Sequence, residues 1–222
     1  MKSEVDIKAF DRSEVFILGR DTVPSSWTVG AGESLSITLV VLPSALRQGP
    51  PEIFDFRGDR SEDVSVQIDL TGPGASVYVR GVYLCRDDED VSISVDVRHL
   101  SGGCTSRQLF KGIVGGTARF SFHGRILVPE GAQKTKAYQE NHSLLLSRDA
   151  VVETSPQLEI YADDVECSHG ATVGYLSELE QFYMRSRGIP VEDARRLQMI
   201  SFLAEVLVPL AEEIRHAIED AI

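Results

Sequence analysis

Long hydrophobic runs are missing from this sequence. No stretch of about 18 apolar residues occurs, which leaves no transmembrane helix to be expected. The start, Met1-Lys2-Ser3-Glu4-Val5-Asp6, is charged and lacks an apolar segment, so no signal peptide is expected either. Cysteine is scarce. Cys85, Cys104 and Cys167 have no C-x-x-C partner, so no zinc knuckle is written, and unpaired thiols in a reducing, cytoplasmic setting are expected. Positive charge is also short: 22 Lys and Arg face 34 Asp and Glu, a formal net charge of −12. A nucleic-acid partner needs clustered cations to neutralise its phosphates, and an anionic membrane surface needs them too, so neither is expected. Most of the acidic excess serves solubility. Gly102-Gly103 and Gly115-Gly116 fit neither G-x-x-x-x-G-K-S/T nor G-x-G-x-x-G, and no G-x-S-x-G elbow is present. No constellation of convergent carboxylates or a catalytic His supports a β-solenoid enzyme acting on carbohydrate or acyl groups. The expectation is a chain that is not an enzyme.

What the sequence does contain is a series of short alternating segments. Ser34 to Val41 is β-branched and alternating, and reads as a strand; Pro43, Gly49, Pro50 and Pro51 then break the chain into a loop. Arg57-Gly58-Asp59 reads as a plain turn. From Asp63 the pattern becomes repetitive. Val64, Val66, Ile68 and Leu70 alternate with polar residues; Val77 and Val79 follow the Gly72-Pro73-Gly74 turn. Val91 to Val97, Ala118 to Phe122, Leu144 with Leu146, and Leu158 with Ile160 repeat the theme. Each is a half-buried strand by its period of two. Many short strands between turns suggest a sandwich, a barrel or a stacked β-solenoid, and periodicity does not separate these.

After Gly174 the period changes to 3.6. Ser177 and Glu180 have the spacing of a capping box, and a short helix through about Arg187 follows, closed by Gly188 with Pro190 beyond. Pro190 suits the start of a second helix, with Glu192 and Asp193 favourable to its dipole. Ala194, Leu197, Ile200, Leu203, Leu207 and Leu210 form its expected apolar stripe, and Pro209 should end it. Residues 211–222 can continue as a helix with Ile214, Ala217, Ile218 and Ala221 on one side.

The segment most suited to chemistry is Leu158 to Thr172, which holds Cys167 and His169 two positions apart. In an extended chain these side chains share a face. A thiolate beside an imidazole suits zinc or iron-sulfur chemistry, but two ligands do not complete a tetrahedral site, so the rest must come from elsewhere. The plain alternative is that both are packing residues at a strand end. Asp163 and Asp164 read as a solvated turn rather than as carboxylates orienting His169. His123 and His142 are not expected to ligate.

Gln139-Glu140-Asn141-His142-Ser143-Leu144-Leu145-Leu146-Ser147, Pro156 through Val165, Cys167-Ser168-His169-Gly170-Ala171-Thr172-Val173-Gly174 and Phe182 through Ile189 together resemble the SufB/SufD family of iron-sulfur cluster assembly scaffolds. The likeness covers about Gln139 to Arg196, with a weaker extension back to His99. It implies a mainly β fold, a right-handed parallel β-helix over residues 1–173, followed by a small C-terminal helical domain over 174–222. It implies pairing through the β-helix with a SufB-like subunit or with itself as a homodimer, and docking of a SufC-like ABC ATPase on the helices. By the same resemblance His169, with neighbouring Cys167, lies at the subunit interface, where a transient iron-sulfur cluster is shared with a cysteine of the partner. Tyr183, Arg185 and Arg187, with the acidic face at Glu192 and Asp193, become candidates for binding the ATPase. The competing expectation is an interaction module with no cofactor that only binds or regulates that ATPase.

Overall fold

The computed structural model describes residues 10–43 and 61–222. The Gly49-Pro50-Pro51 loop and the Arg57-Gly58-Asp59 turn lie outside the described residues. Eleven strands precede three helices among these: β1 (Arg12–Ile17), β2 (Ser26–Val29), β3 (Ser34–Val41), β4 (Ser61–Leu70), β5 (Ser76–Cys85), β6 (Asp90–His99), β7 (Thr105–Val114), β8 (Arg119–Val128), β9 (Lys136–Leu145), β10 (Val151–Ile160), β11 (Glu166–Tyr175), α1 (Glu178–Ser186), α2 (Val191–Leu207) and α3 (Glu212–Asp220). Successive strands alternate between two sheets. One runs β1-β3-β5-β7-β9-β11 and the other β10-β8-β6-β4-β2, and each described pairing is parallel. Parallel neighbours need a crossover, and here the strand of the facing sheet supplies it. The result is a β-solenoid, as the resemblance implies.

The coils stack through their corners. Gly74, Gly103 and Lys134, which precede β5, β7 and β9, all take left-handed backbone (φ 73°, 68° and 61°). Each corner bonds to the next: Gly103 N–H donates to Gln133 O at 2.8 Å, and Lys134 N–H to Asp164 O at 2.6 Å.

Between the sheets, period-two side chains meet in one apolar core that includes Leu35, Ile37, Ile68, Val79, Ile93, Phe110, Phe120 and Phe122. Two rings lie flat against glycines on the paired strand. Gly81 stands beside Phe110 and Gly112 beside Tyr83. A Cβ at either glycine would fall 2.0 Å from the ring, so only a bare backbone lets the ring cross. Tyr83 stacks on Phe120 at 3.6 Å, and Phe110 meets Phe122 at 4.5 Å.

The two sheets differ on their outer faces. The even-strand sheet faces water, so β6 and β8 alternate buried and open positions. Its outer face carries charge rungs, Arg98 on Asp69 and Arg125 between Asp96 and Glu159. The odd-strand sheet is covered by the helices: Val40, Tyr78, Val82, Leu84, Leu109 and Ile113 share one cluster with Leu203, Val206, Leu207, Leu210 and Ile218. Its strand β5 is therefore buried almost throughout. Burial on both faces erases alternation, which is why β7 is not visible in the sequence.

The helix ends fall where the sequence places them, with one change in bonding and one in phase. The Ser177 hydroxyl accepts from Glu180 N–H at 3.3 Å, but the Glu180 carboxylate accepts from Gln198 Nε2 at 2.7 Å, tying α1 to α2 rather than closing a reciprocal box. Gly188 is left-handed (φ 87°) as its place after α1 requires. The expected stripe of α2 needs correction. Leu197 is 48% exposed and Ile200 only half-buried, whereas Met199 and Val206 are buried. The sheet below takes a slightly rotated face, on which Met199, Leu203, Val206 and Leu207 are buried.

Candidate functional site

Strands β10 and β11 end their sheets on the same side of the molecule. Among the described residues each is paired along one edge only. Pro156, which has no N–H to donate, sits within β10, where an edge strand tolerates it.

Cys167 and His169 stand on β11 beside Ala137 and Gln139 of β9. Ala137 and Gln139 are buried on the inner face of β9, so in-register pairing puts Cys167 and His169 on that same face. The strand reads Glu166-Cys167-Ser168-His169-Gly170 here. Cys167 is half-buried and packs against a small cluster of Ile126, Val128, Ala132, Ala137 and Ala162. His169 is exposed. Burial raises the Cys167 thiol above its usual range, opposed in part by a backbone hydrogen bond from Ala137.

The other residues singled out in the sequence lie elsewhere. Cys85 is buried in the main core, and Cys104 is buried at a coil corner with its thiol donating to Gly72 O at 3.2 Å. No disulfide joins the three cysteines. His123 is exposed on the outer face of the even-strand sheet. His142 points outward from β9, with its ring 2.8 Å from Thr172 Oγ1 and 3.4 Å from Glu140. Asp163 and Asp164 form the exposed corner before β11, and Glu166 pairs with Lys136 at 2.9 Å and accepts from the Tyr138 hydroxyl at 3.1 Å. Among the described residues no three His, Cys, Asp or Glu side chains come together as a cation cage.

One feature near the pair carries no apolar signal in the sequence. The inner face of β9 is polar. Gln139, Asn141 and Ser143 are all buried, and Ser106 and Gln108 of the neighbouring strand β7 are buried with them. Asn141 accepts from the Tyr83 hydroxyl at 2.9 Å and donates to Thr154 of β10 at 3.2 Å, so it links both sheets. Gln139 Nε2 donates to Gln108 Oε1 at 3.0 Å. With polar residues on both faces from Tyr138 to Ser143, β9 shows no hydrophobic period of two in the sequence.

The second uncovered surface is α1. None of its residues is buried. Leu179, Phe182 and Tyr183, spaced for one helix face, are 78%, 68% and 59% exposed. Arg185 and Arg187 are exposed beside them, and the Arg187 guanidinium lies 5.2 Å from the Tyr183 ring.

Residues 56–202 match the family model described as "SUF system FeS cluster assembly, SufBD core domain". The chain belongs to the SufB/SufD family. It is 41% identical over 144 residues to the iron-sulfur cluster assembly protein SufD of Escherichia coli (strain K12), which is 65% of this chain and 34% of that protein. It is 33% identical to SufD of Bacillus subtilis (strain 168), across 65% of this chain and 33% of that protein. A SufBD family protein of Synechocystis sp. is 44% identical over 128 residues, 57% of this chain and 28% of the relative. The chain thus spans about a third of the length of the curated relatives it matches. The names of these SufD-like relatives describe assembly proteins. No helix among the described residues is long and apolar enough to cross a membrane.

Proposed function

We propose that this SufD-like chain is a non-enzymatic, cytoplasmic scaffold subunit that holds a nascent iron-sulfur cluster as cargo at a subunit interface. The division of labour follows residues 1–173 and 174–222: the solenoid pairs with a SufB-like subunit or a second copy, and the helices dock a SufC-like ABC ATPase. One observation carries the reading. Cys167 and His169 occupy alternate positions on one face of a terminal strand whose outer edge is unpaired among the described residues. Unpaired strand edges recruit further strands, so a partner joining here arrives beside both ligands. The donor set fits the cargo, since thiolate and imidazole are the ligand types that iron-sulfur clusters accept. The described residues of this chain do not complete a cage, and the partner supplies the remainder.

Docking of the ATPase is supported by the uncovered Leu179, Phe182 and Tyr183 on α1, with Arg185 and Arg187 alongside. The same surface supports the metal-free alternative, a module that only binds or regulates the ATPase. Anaerobic reconstitution of the full chain with its partner, iron and sulfide separates the two readings. Cluster absorbance that His169→Ala weakens supports the scaffold; absorbance unchanged in that variant removes His169 from the site. No metal uptake beside ATPase binding that Phe182→Ala abolishes supports the module.

A further inference from the structure

We propose that Gln139 is a positioning residue for His169, its side-chain carbonyl accepting the proton of one ring nitrogen and so leaving the other nitrogen's lone pair free for a metal. This rests on the reading of His169 given above. Gln139 is 1% exposed, and its Oε1 is buried without a hydrogen-bond partner. A buried acceptor without a partner is costly, so its presence here calls for a donor that reaches it. The slot is built for this side chain. Gly124 on the facing sheet leaves the room, since a Cβ there would fall 1.8 Å from Gln139 Nε2. That nitrogen is committed to Gln108 on the β7 side, which leaves the carbonyl on the other arm of the amide. On the remaining side of β9 the residue in register is His169. Paired residues of parallel strands stand about 4.8 Å apart on the same face, within reach of a short side-chain rotation. The exposed His169 ring is free to make that rotation.

The chemistry of the pair is complementary. A neutral imidazole has one N–H to donate and one lone pair to give, and an amide carbonyl only accepts. A carbonyl at one nitrogen selects the tautomer in which that nitrogen holds the proton. Metal-ligating histidines are oriented in this way, and loss of the orienting group costs about 10–100-fold in metal affinity.

The test uses the full-length chain labelled with nitrogen-15 histidine, with the His169 signals assigned by their loss in His169→Ala. One dominant His169 tautomer in the wild type, giving way to a mixture in Gln139→Leu, supports the proposal. Gln139→Met, which keeps the side-chain length and removes the acceptor, gives the same readout if the leucine variant folds poorly. Two comparable tautomers in the wild type, or an unchanged tautomer in both variants, overturns it. Iron titration in the presence of the partner adds a second readout, with binding expected to weaken about 10–100-fold in Gln139→Met. A selected tautomer combined with cluster absorbance unaffected by His169→Ala would support this contact while refuting the ligand role proposed above.

Discussion

His99 makes the solenoid sensitive to acid, and the size of the effect follows from its surroundings. The ring is fully buried at the end of β6, with Nε2 2.8 Å from Ser106 Oγ and no partner for Nδ1. Burial pushes its pKa from 6.5 down to about 4, because a charged imidazolium would be stranded in the core. The unfolded chain therefore binds a proton that the folded chain refuses between these two values. Stability from this residue is complete above pH 6.5 and falls as pH drops through the window to about 4. Linkage gives a loss of ~2 kcal/mol at about pH 5 relative to about pH 8, levelling off near ~3 kcal/mol in stronger acid. Urea unfolding followed by circular dichroism at both pH values measures the difference. Other titrating groups contribute too, so the informative comparison is with His99→Leu/Ser106→Ala, which removes both bonded partners and leaves no orphan. The wild type should lose ~2 kcal/mol more than this variant on going from about pH 8 to about pH 5. Equal losses in the two proteins would refute the assignment of the acid sensitivity to His99.

Gly112→Ala should lower the urea midpoint, by ~1–3 kcal/mol or more, because Tyr83 cannot retreat. Its ring is stacked on Phe120 and its hydroxyl is held by Asn141 and Ser143; adding Tyr83→Leu should recover part of the loss, and additive losses would show that ring and glycine do not interact. Leu203→Ala should cost ~2–5 kcal/mol and speed hydrogen exchange in α2 and α3 ahead of β6; uniform acceleration would show that the helices and solenoid open as one. Arg125→Gln should cost at most ~1 kcal/mol despite two ion pairs, since the Arg125 and Glu159 side chains are 36% and 37% exposed; a larger loss in a thermal melt would mean that the rung is dry.

The resemblance carried by Gln139 to Gly174 and Phe182 to Ile189 selected a β-helix with helices behind it from the architectures that alternation left open. The residues alone did not reach so far. The coils recur at about 30 residues, a spacing typical of solenoids, with β5, β7, β9 and β11 beginning at Ser76, Thr105, Lys136 and Glu166. The repeat is invisible in residue identity because each rung solves its packing differently: Gly81 with Phe110 on one pair of strands, Tyr83 with Gly112 two positions on.

What the sequence determined by itself is what depends on neighbours along the chain. Alternation in β4, β6 and β8, the Ser177 cap, the Gly188 stop and the shared face of Cys167 and His169 are all local, set by backbone period and sterics. What only the tertiary structure decided is which face meets what. The middle strands of the odd-strand sheet are covered on both sides, so β7 hides its period, and α2 turns to bury Met199 and Val206 in place of Leu197. Gln139 belongs to the second kind. Its place beside His169 and its unanswered carbonyl come from the register between β9 and β11, which joins residues 30 positions apart and which no local pattern encodes.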